Sequence, residues 1–114
     1  RNNKFLKKVN FLKTNFYKRS NFGFTSSIEK AEFIEILFKS DSSFIESNFE
    51  GNTIFDNVSF SGNAYFNRSK FEDTSFSFTN FLQNVDFESV KFSKNLDIKN
   101  CIYEKNCRYE IHNK

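Results

Sequence analysis

From Ser42 to Phe71 the chain reads SSFIESNFEGNTIFDNVSFSGNAYFNRSKF. Phenylalanine returns at 44, 49, 55, 60, 66 and 71, so intervals of five and six alternate without a break. Two residues before each ring stands a small or β-branched side chain: Ser42, Ser47, Thr53, Val58, Ala64 and Ser69. The residue between the two is mostly polar, as at Ser43, Asn48, Ser59 and Lys70. Alternate residues of an extended segment point to one side, which turns the small residue and the Phe inward together and leaves the polar one in water. A straight strand would carry the next pair out of phase whenever the interval is odd. The chain must therefore turn a corner at every repeat and wind into a coil, with coils stacked about 4.8 Å apart and each ring packed on the rings above and below.

The pattern extends outward from this stretch in both directions. Phe5, Phe11, Phe16, Phe22, Ile28, Phe33, Phe38, Phe44, Phe49, Phe55, Phe60, Phe66, Phe71, Phe76, Phe81, Phe87, Phe92, Ile98 and Tyr103 share one register, and it takes in 16 of the 18 phenylalanines. The twelve from Phe33 to Phe92 are the expected structural ladder. Val9, Thr14, Ser20, Ser26, Ala31, Thr74, Thr79, Val85 and Val90 continue the small inward column, with Asn3, Ile36, Leu96 and Cys101 as its looser members. Self-similarity at a short fixed period is the signature of a solenoid. A competing reading exists near the start, because Phe5, Val9, Leu12 and Phe16, and also Ile28, Ala31 and Leu37, fit helical spacing.

A small residue, then Asn or Asp, then Phe or Leu, then two polar residues is the pentapeptide-repeat pattern, and Val58-Ser-Phe-Ser-Gly and Ser69-Lys-Phe-Glu-Asp resemble it directly. The alternation of five and six resembles the Phe-rich variety of that family. The resemblance covers about residues 3 to 105. It implies an all-β fold, a right-handed quadrilateral β-helix with four repeats per coil and a little under five coils. The hand and the number of sides come from the resemblance; a three-sided left-handed helix on six-residue units is the competing architecture. The expected organisation is one β-helix over 1–105 with a tail or cap over 106–114, where Tyr109 and Ile111 are placed to fold back.

Chemistry-bearing motifs are sparse. The chain has 18 Phe, 3 Gly, 2 Cys and 1 His among its 114 residues, and no Pro, Met or Trp. His112 is near the end with no triad or metal pattern around it. Cys101 and Cys107 lack the second pair and the short spacing of a zinc site, and read as free thiols. Gly23, Gly51 and Gly62 are not grouped into a phosphate loop. No catalytic, cofactor-binding or metal-binding residue is assigned, no cofactor is expected, and the reading is a non-enzymatic protein. No apolar run approaches the roughly 20 residues of a membrane span, so a soluble, cytoplasmic chain is expected.

The net charge of +3 is unevenly laid out. Residues 1–28 carry seven Lys or Arg and no acid, residues 29–90 carry four basic and eleven acidic, and residues 91–114 carry six basic and three acidic. Stacked in order, these make a basic end, an acidic middle and a mildly basic far end. With four repeats per coil, Leu12, Ile34, Ile54 and Phe78 are expected to share one outer face as a candidate interaction surface, and Phe24, Ile45 and Tyr65 the opposite one, while the face under Phe49 and Phe71 stays polar. The expected function is a structural or protein-interaction scaffold, with a protein partner or self-association through a terminal coil or an apolar face. The resemblance also supplies an alternative, mimicry of the DNA duplex to modulate a type II topoisomerase such as gyrase. A third reading is binding of nucleic acid or an anionic membrane through Arg1, Lys4, Lys7, Lys8, Lys13, Lys18 and Arg19. A solvated basic end is the favoured reading of that stretch, and nucleic acid is not the expected partner.

Overall fold

The computed structural model describes the backbone of residues 4–6, 8–27 and 29–113, and the side chains of these residues from 8 onward. Every strand pairing among them is parallel, and each strand pairs with the strands one coil before and after it. The chain is thus an all-β solenoid of about four turns, with four faces that each carry five stacked levels. Each face is named here after its central ring: Phe55, Phe60, Phe66 or Phe71. Among the described residues no helix forms, which removes the helical reading of the N-terminal stretch, and no helix is long and apolar enough to cross a membrane.

Two kinds of corner make the coil. Strands Val9–Phe16, Ala31–Phe38 and Thr53–Phe60 run from the Phe55 face onto the Phe60 face around a residue with positive φ: Lys13, Glu35 or Asn57. Phe78 and Asn100 hold the same corner in the next two levels, and Phe24, Glu46, Arg68 and Ser89 hold the diagonally opposite one. A single left-handed residue turns the chain from one face onto the next, so ring-to-ring spacing across these tight corners is always five. The other two corners are wide and take six, with five only after Leu6 and between Phe71 and Phe76. The sixth residue is therefore a corner residue, and the strands stay unbulged.

This rule corrects the register near the start. Ser27 pairs with Phe49, and Thr25 and Ser27 are the buried pair, so the inward positions are not Ser26 and Ile28. Ser26 pairs with the outward Asn48, and Ile28 lies outside the described residues. Leu6, not Phe5, shares the register of Ser27. Reading by apolarity selected a six-residue step from Phe22 to Ile28, whereas the tight corner at Phe24, φ 56°, permits five. Asn3 also lies outside the described residues.

Wide corners are held by side chains as well as by backbone. Asp41, Asn63, Asn84 and Asn106 form a column in which each side-chain oxygen accepts the backbone N–H of the next level, at 2.9 Å for Asn63, 3.2 Å for Asn84 and 3.4 Å for Asn106. Asp73 Oδ1 accepts the Asn95 N–H at 3.2 Å on the second wide corner. These bonds satisfy backbone donors that a turning chain removes from the regular ladder. Hydroxyls of the small column satisfy backbone acceptors inside: Ser69 Oγ donates to the Phe66 carbonyl at 2.6 Å and Thr79 Oγ1 to the Ser77 carbonyl at 3.1 Å.

The coil runs past residue 105. Cys107–Arg108 still pairs with Val85–Asp86, so the register persists beyond Tyr103 and the expected boundary moves to Arg108. Tyr109, φ 58°, then leaves the path. Ile111 packs against the core, and Asn113 Oδ1 accepts the Ile98 N–H, so the segment crosses the last coil and covers a terminal edge that would otherwise expose apolar rings and backbone groups.

Candidate interaction surfaces

All twelve ladder phenylalanines are buried, with Phe92 the most accessible at 8%. Within a column the rings are stacked: Phe55 lies 4.9 Å from Phe33 and 4.7 Å from Phe76, with planes 4° and 2° apart. Columns on opposite faces meet edge to face across the interior, as Phe55 does with Phe44 at 5.7 Å and Phe66 at 5.9 Å. Offset stacks within columns and T-shaped contacts between them are the two favourable aromatic geometries, used here together. Rings fill the interior, so any partner must be met on the outside.

The candidate residues Leu12, Ile34, Ile54 and Phe78 all belong to the Phe55 face or its tight corner, in three adjoining columns. Leu12 pairs with Ile34, which pairs with Asp56; Ile54 pairs with Glu32 and Ser75 in the next column; Phe78 is at the corner with Glu35 and Asn57. Leu12 and Phe78 are 57% and 53% exposed, while Ile34 and Ile54 are half-buried between levels. Ile34, Glu35, Asp56, Asn57 and Phe78 line a shallow depression of about 300 Å³. The face is apolar and acidic, with Lys30 Nζ 3.8 Å from Glu32 as its ion pair. Beyond this corner the Phe60 face exposes Leu82 and Ile102, the latter paired with Asn80.

The opposite face differs. Phe24, Ile45 and Tyr65 are half-buried in three separate columns, and the charges around them are paired. Arg68 lies 3.6 Å from Glu46, and Arg108 lies 3.4 Å from Asp86 and 3.8 Å from Glu88. The Phe71 face is polar outward, through Ser26, Asn48, Lys70 and Lys91.

Of the seven N-terminal basic residues, Arg1 and Lys7 lie outside the described residues, and Lys4 is described by its backbone alone. Lys8, Lys13, Lys18 and Arg19 are exposed. Lys18 and Arg19 fall at the wide corner between the Phe60 and Phe66 faces. There Tyr17, Lys18, Arg19 and Lys39 line a depression of about 490 Å³. It adjoins another of about 350 Å³ lined by Arg19, Asn21, Ser43, Ile45 and Tyr65. The sequence signal for this grouping is that Lys39 follows Tyr17 by one 22-residue coil and so comes beside Lys18, which the linear charge count does not reveal.

Cys101 and Cys107 are free thiols in the small inward column of the last level. Burial first, then the carboxylates of Glu110 and Asp86, pushes the Cys107 thiol up to about 11. Burial also raises the Cys101 thiol, against backbone hydrogen bonding that lowers it. These are thiols held protonated, the reverse of an activated nucleophile. His112 is exposed, and among the described residues no three His, Cys, Asp or Glu side chains converge on a metal position. Comparison with protein-family models, curated proteins and solved structures finds no match to the chain.

Proposed function

We propose that the chain is a non-enzymatic scaffold or protein-interaction module, built as a right-handed pentapeptide-repeat β-helix, whose contact surface is the Phe55 face. The five- and six-residue spacing and the buried ladder support the family reading. Phe78 carries the functional one. It occupies a left-handed corner, φ 49°, where the levels above and below have Asn57 and Asn100, and it exposes half its ring. Asparagine tolerates that backbone far better than an aromatic residue, and an exposed ring returns little packing energy. A contact outside the coil gives that ring a use.

Duplex mimicry at a type II topoisomerase finds less support, because a mimic needs a continuous anionic strip and Glu46, Glu72, Asp86 and Glu88 are each within 4 Å of a cation. The unpaired thiols support a reducing, cytoplasmic setting. The test is photo-crosslinking in the native cell with benzoylphenylalanine in place of Phe78, and in a second chain in place of Lys91 on the polar Phe71 face. A discrete adduct from position 78 and none from position 91 is expected; equal labelling, or none from 78, contradicts the reading.

A further inference from the structure

We infer that the wide corner between the Phe60 and Phe66 faces, at the basic end of the stack, binds single-stranded nucleic acid. This site is separate from the Phe55 face and stands whether or not that face has a partner. Three observations converge on it. Lys18, Arg19 and Lys39 are exposed, and among the described residues none of the three has a carboxylate within ion-pairing distance. Arg19 is in this respect unlike the other two described arginines, Arg68 and Arg108, which pair with acids. Asp41 lines both depressions and keeps its charge while accepting the Asn63 N–H at 2.9 Å, so the corner sets three cations against one carboxylate. That surplus makes a local positive field in a chain of small net charge.

Aromatic rings lie at both parts of the groove. Tyr17 is 64% exposed, and Lys39 Nζ sits 5.5 Å from its ring centroid, which leaves the rest of the ring to an incoming planar group. Tyr65 borders the adjoining depression with Asn21 and Ser43, whose side chains can donate and accept hydrogen bonds. A positive groove with aromatic platforms is the chemistry that holds a phosphate backbone and stacks unpaired bases. A duplex hides its base faces from Tyr17. A membrane is met by a protruding surface, and this one is concave. The two depressions, about 490 and 350 Å³, offer room for a short run of nucleotides only.

The test is fluorescence anisotropy of the whole chain with a labelled oligothymidylate of about ten nucleotides, titrated between roughly 50 and 200 mM NaCl. Three phosphate contacts predict a slope of log K on log salt of about −2 for a single strand. Arg19→Glu with Lys39→Glu, both exposed, should abolish binding without moving the thermal melt. Tyr17→Ala should weaken binding roughly tenfold and leave the slope unchanged, because stacking is lost and the phosphate contacts are kept. Lys70→Glu with Lys91→Glu, on the Phe71 face, should change little. No anisotropy change at low salt overturns the inference, as does binding that survives the Arg19 and Lys39 exchanges. If Tyr17→Ala has no effect and heparin or vesicles of anionic lipid compete as well as the oligonucleotide, the corner is a general polyanion surface and the nucleic-acid assignment is wrong.

Discussion

Phe55 and Phe76 stack with centroids 4.7 Å apart and planes 2° apart, the closest ring pair in the ladder, although they are separated by 21 residues where most coils take 22. The missing residue is absorbed at the wide corner between Phe71 and Phe76, and the strands on either side keep their register: Thr74 pairs with Thr53 and Phe76 with Phe55. Wide corners therefore set coil length and tight corners set phase.

An insertion experiment separates the two. One Asn placed between Glu72 and Asp73 gives that corner the six-residue spacing found between Phe49 and Phe55, and should move the melting temperature by no more than about 3 °C. The same Asn placed between Asp56 and Asn57 pushes Val58 and Phe60 out of phase at a tight corner. A loss of about 3 kcal/mol, or roughly 10–20 °C, is expected by calorimetry.

Glycine marks the places where stacked wide corners touch. A Cβ on Gly51 would stand 2.4 Å from the Glu29 carbonyl carbon, and one on Gly62 2.4 Å from that of Ser40. Backbone is the neighbour in both cases, so relief requires a corner to move. Gly51→Ala and Gly62→Ala should each lower stability by about 1–3 kcal/mol in urea titrations.

The left-handed corners offer a gain instead. Glu35 is exposed at φ 55° in the column that also holds Asn57 and Asn100. Glu35→Asn should raise stability by about 0.5–1 kcal/mol, read as a rise in melting temperature of a few degrees. A fall would mean that the Glu35 side chain does something the corner geometry does not show.

Stability should also respond to alkali through the last coil. Burial pushes the Cys107 thiol up to about 11, well above the ordinary cysteine range, and raises the Cys101 thiol as well. Between the ordinary and the raised value the unfolded chain has lost protons that the folded chain still holds, so the unfolded state binds fewer and stability falls as pH rises. Urea midpoints should be flat below about pH 9 and decline from there toward 11. Cys107→Ala should flatten the decline, and alkylation of the folded chain at pH 8 should be slower than that of free cysteine.

The ladder was legible because burial selects for one residue type at one spacing: each of the twelve ladder rings from Phe33 to Phe92 is inside. The slip at Thr25–Ser27 was hidden because a serine stands where the column otherwise has a ring, and apolar Ile28 lies next to it. The end at Arg108 was hidden in the same way, since Cys107 continues the small column but Tyr109 turns off the path. The columns of Asp41, Asn63, Asn84 and Asn106, and of Asp73 and Asn95, recur at 21 or 22 residues and could have been found once the coil length was known. Surface grouping was harder. Ile34 and Ile54 fall in adjacent columns, and Phe78 joins them only through a backbone angle that no residue pattern announces.

The central claim is that stacked inward phenylalanines hold the solenoid together. Far-UV circular dichroism through a thermal melt, on Phe60→Asp beside Phe78→Asp, tests it most directly. Phe60 is fully buried and stacks on Phe38 at 4.9 Å and Phe81 at 5.0 Å, whereas Phe78 is the exposed corner ring. An unpaired carboxylate at position 60 replaces a ring worth about 3–5 kcal/mol and adds a buried charge, together comparable with the whole stability of a small domain. The account predicts that Phe60→Asp loses its β spectrum and cooperative melt while Phe78→Asp keeps both. A Phe60→Asp chain that melts like the wild type would contradict it.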